Sequence, residues 1–192
     1  MATTTRILTY QGDMLVGDSF DEVSMSDGAY SWQFDGTTQS VYIPHNTVLN
    51  FSAVDWTIEF WALPTATDST NRAVYFKRAS ASAIASIYIE YNASTKFWII
   101  GVANAAGNAW TVNSTTDVAA DIGMWQHIAI VRSGVNIYAY KNGVRISLSS
   151  AMSTSIIYDD GGDATIASEG AIPVSGATSY GAYRFRGLLS AG

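Results

Sequence analysis

Between residues 29 and 189 apolar and polar side chains alternate in short runs, and each run is broken by Gly, Asn, Asp, Ser or Pro. Successive side chains of a strand point to opposite faces, so a period of two marks a half-buried strand, whereas an amphipathic helix repeats at i, i+3 and i+4. The alternation predicts strands near 29–35, 39–43, 55–63, 73–78, 85–91, 96–103, 108–112, 125–133, 135–141, 144–149, 155–158, 163–167 and 182–189. No segment carries the helical pattern. The chain reads as all-β, and so many short strands call for two packed sheets.

The punctuation supports this reading. Asn142-Gly143 sits between two alternating runs, and a type I′ turn needs positive φ at both central residues, which Asn-Gly tolerates best. Strands 135–141 and 144–149 are therefore expected as antiparallel neighbours. Ser133-Gly134 and the run 92–95 make similar breaks, and the run 159–163 forms a longer turn. Pro44, Pro64 and Pro173 fall at strand ends or in loops, where a missing backbone donor costs no ladder bond.

Several strands are apolar on both faces. In DWTIEFWAL, Trp56, Ile58, Phe60 and Ala62 share one parity, and Thr57, Glu59, Trp61 and Leu63 the other. In KFWIIG, Phe97 and Ile99 oppose Trp98 and Ile100. One face must line the core between the sheets, and the other is covered by loops, by another protomer or by a ligand.

Composition narrows the function. Apolar residues make up 48% of 192 and charged ones 14%, a packed body rather than a disordered tail. The length fits one domain spanning 1–192, with 1–28 as an N-terminal arm or first strand. The formal net charge of −6 repels phosphate backbones and anionic lipid, so neither nucleic acid nor membrane insertion is expected. There is no Cys, which excludes disulfides and thiolate metal sites. The N-terminus carries no apolar stretch of signal-peptide length, so synthesis in the cytosol is expected and the sequons at Asn50, Asn92 and Asn113 are read as chance.

Four motifs occur in order: FDGTTQSVYIP (34–44), LNFSAVDWTIEFWALP (49–64), MWQHIAIVRSGVNIYAYKNGV (124–144) and, within the last, the Y-x-N-G type hairpin. Together they resemble the laminin-G-like domains of the concanavalin A-like lectin/glucanase superfamily, above all those of bacteriophage tail and virion proteins. The resemblance spans roughly residues 30 to 189 and implies an antiparallel two-sheet sandwich of jelly-roll type. It also implies a virion location. One departure is that FRGLLSAG stops at Gly192 where such domains usually continue, which leaves either a fragment or an incomplete last strand with an open sheet edge.

The chemistry points to binding. A retaining glycosidase needs two carboxylates about 5–5.5 Å apart, which an E-x-D-x-E strand would supply and this chain lacks; His45 and His127 have no nucleophile motif beside them. No enzyme is expected. Asp159, Asp160 and Asp163 are the candidate Ca²⁺ ligands, although a solvated turn with Asx capping explains them equally well. The acidic stretch Asp18, Asp21, Glu22 and Asp27 reads as a solvated loop. Sugar recognition asks for flat aromatic faces with a few polar groups. If Ile87, Ile89, Phe97, Ile99, Ile137 and Ala139 face the core, then Tyr88, Glu90, Trp98, Tyr138, Tyr140 and Arg145 face outward and form the candidate carbohydrate site. Three readings stay open: a non-catalytic attachment module for a cell-surface glycan, a structural virion protein (decoration, knob or fibre component) that oligomerises or contacts other virion proteins, and a bacterial polysaccharide-binding or adhesion domain.

Overall fold

The computed structural model describes residues 15–17, 22–24, 30–68, 70–78, 85–103, 110–114, 119–149, 151–153, 157, 161–169 and 183–190. Among these lie fifteen strands. The first six are β1 (Leu15–Gly17), β2 (Glu22–Ser24), β3 (Tyr30–Asp35), β4 (Ser40–Ile43), β5 (Trp56–Pro64) and β6 (Asn71–Arg78). Next come β7 (Ile87–Asn92), β8 (Trp98–Ala103), β9 (Trp110–Ser114), β10 (Gln126–Ser133) and β11 (Asn136–Lys141). The rest are β12 (Val144–Ile146), β13 (Met152–Ser153), β14 (Asp163–Ile166) and β15 (Arg186–Ser190). One 3-10 turn, Thr47–Leu49, is capped by Asn46, whose side chain accepts from the Val48 amide at 3.1 Å.

The strands form two sheets, one of seven strands in the order β1-β4-β14-β6-β7-β8-β9 and one of eight in the order β12-β11-β10-β5-β15-β3-β2, with β13 beside β11. Every ladder between them is antiparallel. This is the jelly-roll sandwich that the alternation and the four motifs predict. The hairpin forecast holds in detail: Asn142 and Gly143 have φ of 51° and 79°, and β11 pairs β12 with Lys141 opposite Val144. The predicted strand 155–158 falls mostly outside the described residues. β1 and β2 lie in the segment 1–28 read only as an arm or first strand, and β13 was not anticipated, because runs of two or three residues are too short to show a period.

The core lies between the sheets. The eight-stranded sheet contributes Trp56, Ile58 and Phe60 from β5, Ile128 and Ile130 from β10, and Ile137 and Ala139 from β11. The seven-stranded sheet answers with Val41, Tyr75, Ile87, Ile89, Tyr91, Trp98 and Ile100. Trp98 is fully buried, with ring centroids 5.8 Å from Phe60 and 5.6 Å from Tyr91, so it joins the two sheets. Burying rings of this size contributes a few kcal/mol each, about 25 cal/mol per Å² of apolar area removed from water.

The core-facing rows end in polar groups that hold loops. At one end of β10, Arg132 is 2% exposed and its Nη1 donates to the Ser52 and Val54 carbonyls at 2.7 and 2.9 Å. At the opposite end Gln126 Nε2 donates to the Asp121 carbonyl at 3.1 Å, and Lys141 Nζ bonds the Ala119 carbonyl and Asp121 Oδ2 at 2.7 and 2.8 Å. The loops that close the sandwich are thus fastened by long side chains reaching from strand ends.

β15 lies inside its sheet, paired with β3 on one side and β5 on the other. The pairing depends on Gly187, whose φ is +141° and where a Cβ would come within 2.1 Å of the Leu63 carbonyl oxygen. Only glycine allows the two backbones to approach so closely, which gives the F-x-G spelling of this strand a physical cause.

Candidate functional site

The outward parity of the eight-stranded sheet brings together residues far apart in sequence. Register places Tyr140 opposite Arg145 on β12 and opposite Ala129 on β10, and Ala129 opposite Glu59 on β5. Beside this row, Tyr138 pairs with Val131, and His127 with Trp61. Because neighbouring strands lie about 4.8 Å apart, the row from Arg145 to Glu59 spans roughly 14 Å. Trp61 is 37% exposed, Tyr138, Tyr140, His127 and Glu59 are half-buried, and Arg145 is exposed.

The side chains on this face are held by one another. The Arg145 guanidinium carbon lies over the Tyr138 ring, 4.3 Å from its centroid, a cation–π contact that holds the side chain against the ring. The Trp61 and His127 rings are 5.4 Å apart at 52°, and His127 Nε2 is 3.6 Å from Glu59 Oε2. His127 is fixed from its backbone too: its amide donates to Asn142 Oδ1 at 2.8 Å and its carbonyl accepts from the Asn142 amide at 2.8 Å. At the edge of the sheet a groove of about 510 Å³ opens beside Asn136, Tyr138, Arg145, Ser147, Leu148 and Ala151. Rings, hydrogen-bonding groups and a small groove on a rigid sheet suit a planar, hydroxylated ligand.

The structure divides the six nominated carbohydrate residues among three places. Tyr138, Tyr140 and Arg145 share the face just described. Tyr88 and Glu90 face outward from the other sheet, 8% and 7% exposed. The Tyr88 ring stacks on Phe76 at 5.0 Å and 14°, directly over Gly101, where a Cβ would meet it at 2.0 Å. Ala73, Ala85 and Ile99 complete this second apolar cluster. The Arg78 guanidinium sits 5.8 Å over Phe76 and pairs with Glu169 at 3.3 Å. Glu90 accepts from Asn71 Nδ2 at 3.0 Å, and burial, with the nearby Glu169 charge adding to it and the Asn71 bond opposing, pushes its carboxyl up to about 7.

Trp98 points the opposite way from its assignment. β7 pairs β8 with Tyr91 opposite Trp98 and Ile89 opposite Ile100, so Trp98 shares the core face, and Ile99, placed in the core by the alternation argument, packs outward against Tyr88. In a strand apolar on both parities, alternation cannot say which parity faces inward.

Of the three aspartates nominated for calcium, Asp159 and Asp160 lie outside the described residues. Asp163 opens β14 and its two oxygens serve the fold: Oδ2 accepts from the Tyr42 hydroxyl at 2.5 Å and Oδ1 from the His45 amide at 2.7 Å. Burial, together with this bond to Asp163, drives the Tyr42 hydroxyl up to about 12. The described residues contain no group of three or more metal-ligating side chains.

Residues 35–190 match the Laminin_G_3 model of the concanavalin A-like lectin/glucanases superfamily. The chain belongs to this family. No curated protein matches the sequence. Among solved structures, the binding domain of Paraclostridial Mosquitocidal Protein 1 aligns with a TM-score of 0.66 at 15% identity, covering 93% of this chain and 42% of that one. Domain 4 of AbnA, an extracellular arabinanase of Geobacillus stearothermophilus solved in complex with arabinotriose, aligns at 0.53 and 14%, covering 93% and 80%. Botulinum neurotoxin type C, whose cell entry is described as dependent on two ganglioside molecules, aligns at 0.60 and 12%, covering 95% and 44%. The chain thus spans less than half the length of the toxin structures it matches. At these identities the likeness is one of fold.

Reading the sequence alone passed over Trp61, His127 and Glu59 as members of the site. The signal was present in the second parity of DWTIEFWAL. What joins it to Tyr138 and Tyr140 is the non-local ladder between β5 and β10, which no local pattern announces.

Proposed function

We propose that the chain is a non-catalytic recognition module that binds carbohydrate on the outward face of its eight-stranded sheet, and that it serves attachment of a virion to a cell-surface glycan. The observation that carries the reading is the four-strand row: Trp61, Tyr140 and Tyr138 present rings for stacking on the apolar face of a pyranose, with Glu59, His127 and Arg145 beside them to bond hydroxyls. Support comes from the solved structures of the same fold, among them one in complex with arabinotriose and one of a toxin whose cell entry depends on two ganglioside molecules. The virion setting draws on the resemblance of the four motifs. The row holds one carboxylate, and a glycosidase of either stereochemistry needs two.

The decisive measurement is binding on a glycan array, repeated with Trp61→Ala and Tyr140→Ala. Each variant is expected to lose about tenfold or more in affinity with its circular dichroism unchanged. A wild-type protein that binds no glycan at millimolar concentration would sink the proposal. Aromatic residues and arginine are also enriched at protein interfaces, so the same row favours a second reading, contact with another virion protein or a second copy. That reading predicts an assembly burying about 1,200 Å² or more, detectable by light scattering.

A further inference from the structure

We infer that the glycan bound by this face carries a carboxylate, and that Arg145 receives it at the β12 end of the row. The inference rests on the carbohydrate reading above and adds the charge and the orientation of the ligand. Its basis is how differently the arginines are used. Arg72 spends its guanidinium on Asp68 and on the Gly36 and Arg184 carbonyls, and Arg78 on Glu169. Arg132 is taken up by the Ser52 and Val54 carbonyls, and Arg184 by the Thr38 carbonyl and Ser40. Arg186 is exposed too but lies within the field of Asp68, whose carboxyl it helps hold low, whereas Arg145, also exposed, has the face of Tyr138 as its contact.

A guanidinium whose contact is a ring face keeps its N–H donors unspent, and its planar fork matches the two oxygens of a carboxylate. The stack also fixes the side chain before the ligand arrives, so less rotamer freedom is lost on binding. Among the described residues the groove beside it has no acidic side chain in its lining, and its volume of about 510 Å³ lies within the usual range for small-molecule sites.

The nearest carboxylate of the row is Glu59, three strands away. That separation of roughly 14 Å exceeds the screening length of about 8 Å at physiological salt, so the Glu59 charge is weakly felt at Arg145. The row is consequently polarised. An acidic sugar seats its carboxylate at Arg145, and the neutral, hydroxyl-bearing remainder extends toward Tyr140, His127 and Glu59.

The test compares a neutral oligosaccharide with the same oligosaccharide bearing a terminal carboxylate-containing sugar, and with its sulfated form, by titration calorimetry. The full chain is expected to prefer the carboxylate form by about 10- to 100-fold, with the preference falling as salt rises. Arg145→Gln should erase the preference, so that the neutral and carboxylate forms bind alike, and Arg145→Lys should recover little of it, since it restores charge without the fork. Lys96→Gln, which removes the same charge outside the row, should change nothing.

Equal binding of neutral and acidic forms, or a preference that survives Arg145→Gln, overturns the inference and leaves the carbohydrate reading intact. A preference for the sulfated form over the carboxylate also overturns it. Absence of binding to every sugar overturns both.

Discussion

At the scale of single residues, Glu90 makes folding sensitive to pH. Its carboxyl is 7% exposed, and burial first, then the Glu169 charge, raise it from 4.5 to about 7. A group that holds its proton more firmly when folded contributes stability that is fully present below pH 4.5 and lost as pH rises through 7. The contribution is on the order of 3 kcal/mol. Glu90→Gln, which keeps the neutral shape and the acceptor for Asn71, is therefore expected to melt several degrees above wild type at pH 8 and together with it at pH 4. Parallel melting curves at the two pH values would disprove the assignment. Asp35 works in the opposite sense at lower pH. Burial raises its carboxyl, but bonds from the Thr38 hydroxyl and the Thr37, Thr38 and Gln39 amides outweigh it and hold the group well below its ordinary value of 3.8, so its contribution is lost in acid.

At the scale of elements, the hairpin β11–β12 carries more than its turn. Asn142 adopts φ of 51°, and its side chain and amide both bond the His127 backbone on the next strand. Asn142→Ala should cost about 1–2 kcal/mol in urea denaturation, whereas Asn142→Gly, which accepts the positive φ, should recover about half of that. Equal losses would mean that conformation contributes nothing and the bond everything. Hairpins of this kind are legible because turn chemistry is local, and the register of β10, β11 and β12 follows from two turns. The orientation of β8 was not legible. Trp98 and Ile99 are equally apolar, and what decides between them is the partner each meets: Phe60 across the core for Trp98, Tyr88 on the outer surface for Ile99. The outer cluster exists because Gly101 leaves room for the Tyr88 ring, a vacancy visible only once β7 and β8 are paired.

At the scale of the whole molecule, the two sheets share one core, and the Phe60–Trp98 contact at 5.8 Å is a direct bond between them. Truncating either ring should cost about 3–5 kcal/mol, and the double variant should fall short of the sum by about 0.5–1.5 kcal/mol. Additive losses would show that the sheets are stabilised independently. The fold class was readable because periodicity reports local geometry, and the family motifs are largely core pattern. The site was half readable: Tyr138, Tyr140 and Arg145 lie on consecutive strands, but Trp61, Glu59 and His127 join them through a pairing between β5 and β10 that spans more than sixty residues. The placement of β15 has a consequence for how the protein comes into being. Its two neighbours, β3 and β5, lie far toward the start of the chain, yet they meet only through a strand made some 120 or more residues later. During synthesis the eight-stranded sheet stays open in two pieces, with greasy margins bare, until residue 190 has left the ribosome. This half of the sandwich therefore closes late, at the slow rates of long-range β pairing, and its unpaired strand margins are the part of the nascent chain most open to wrong partners.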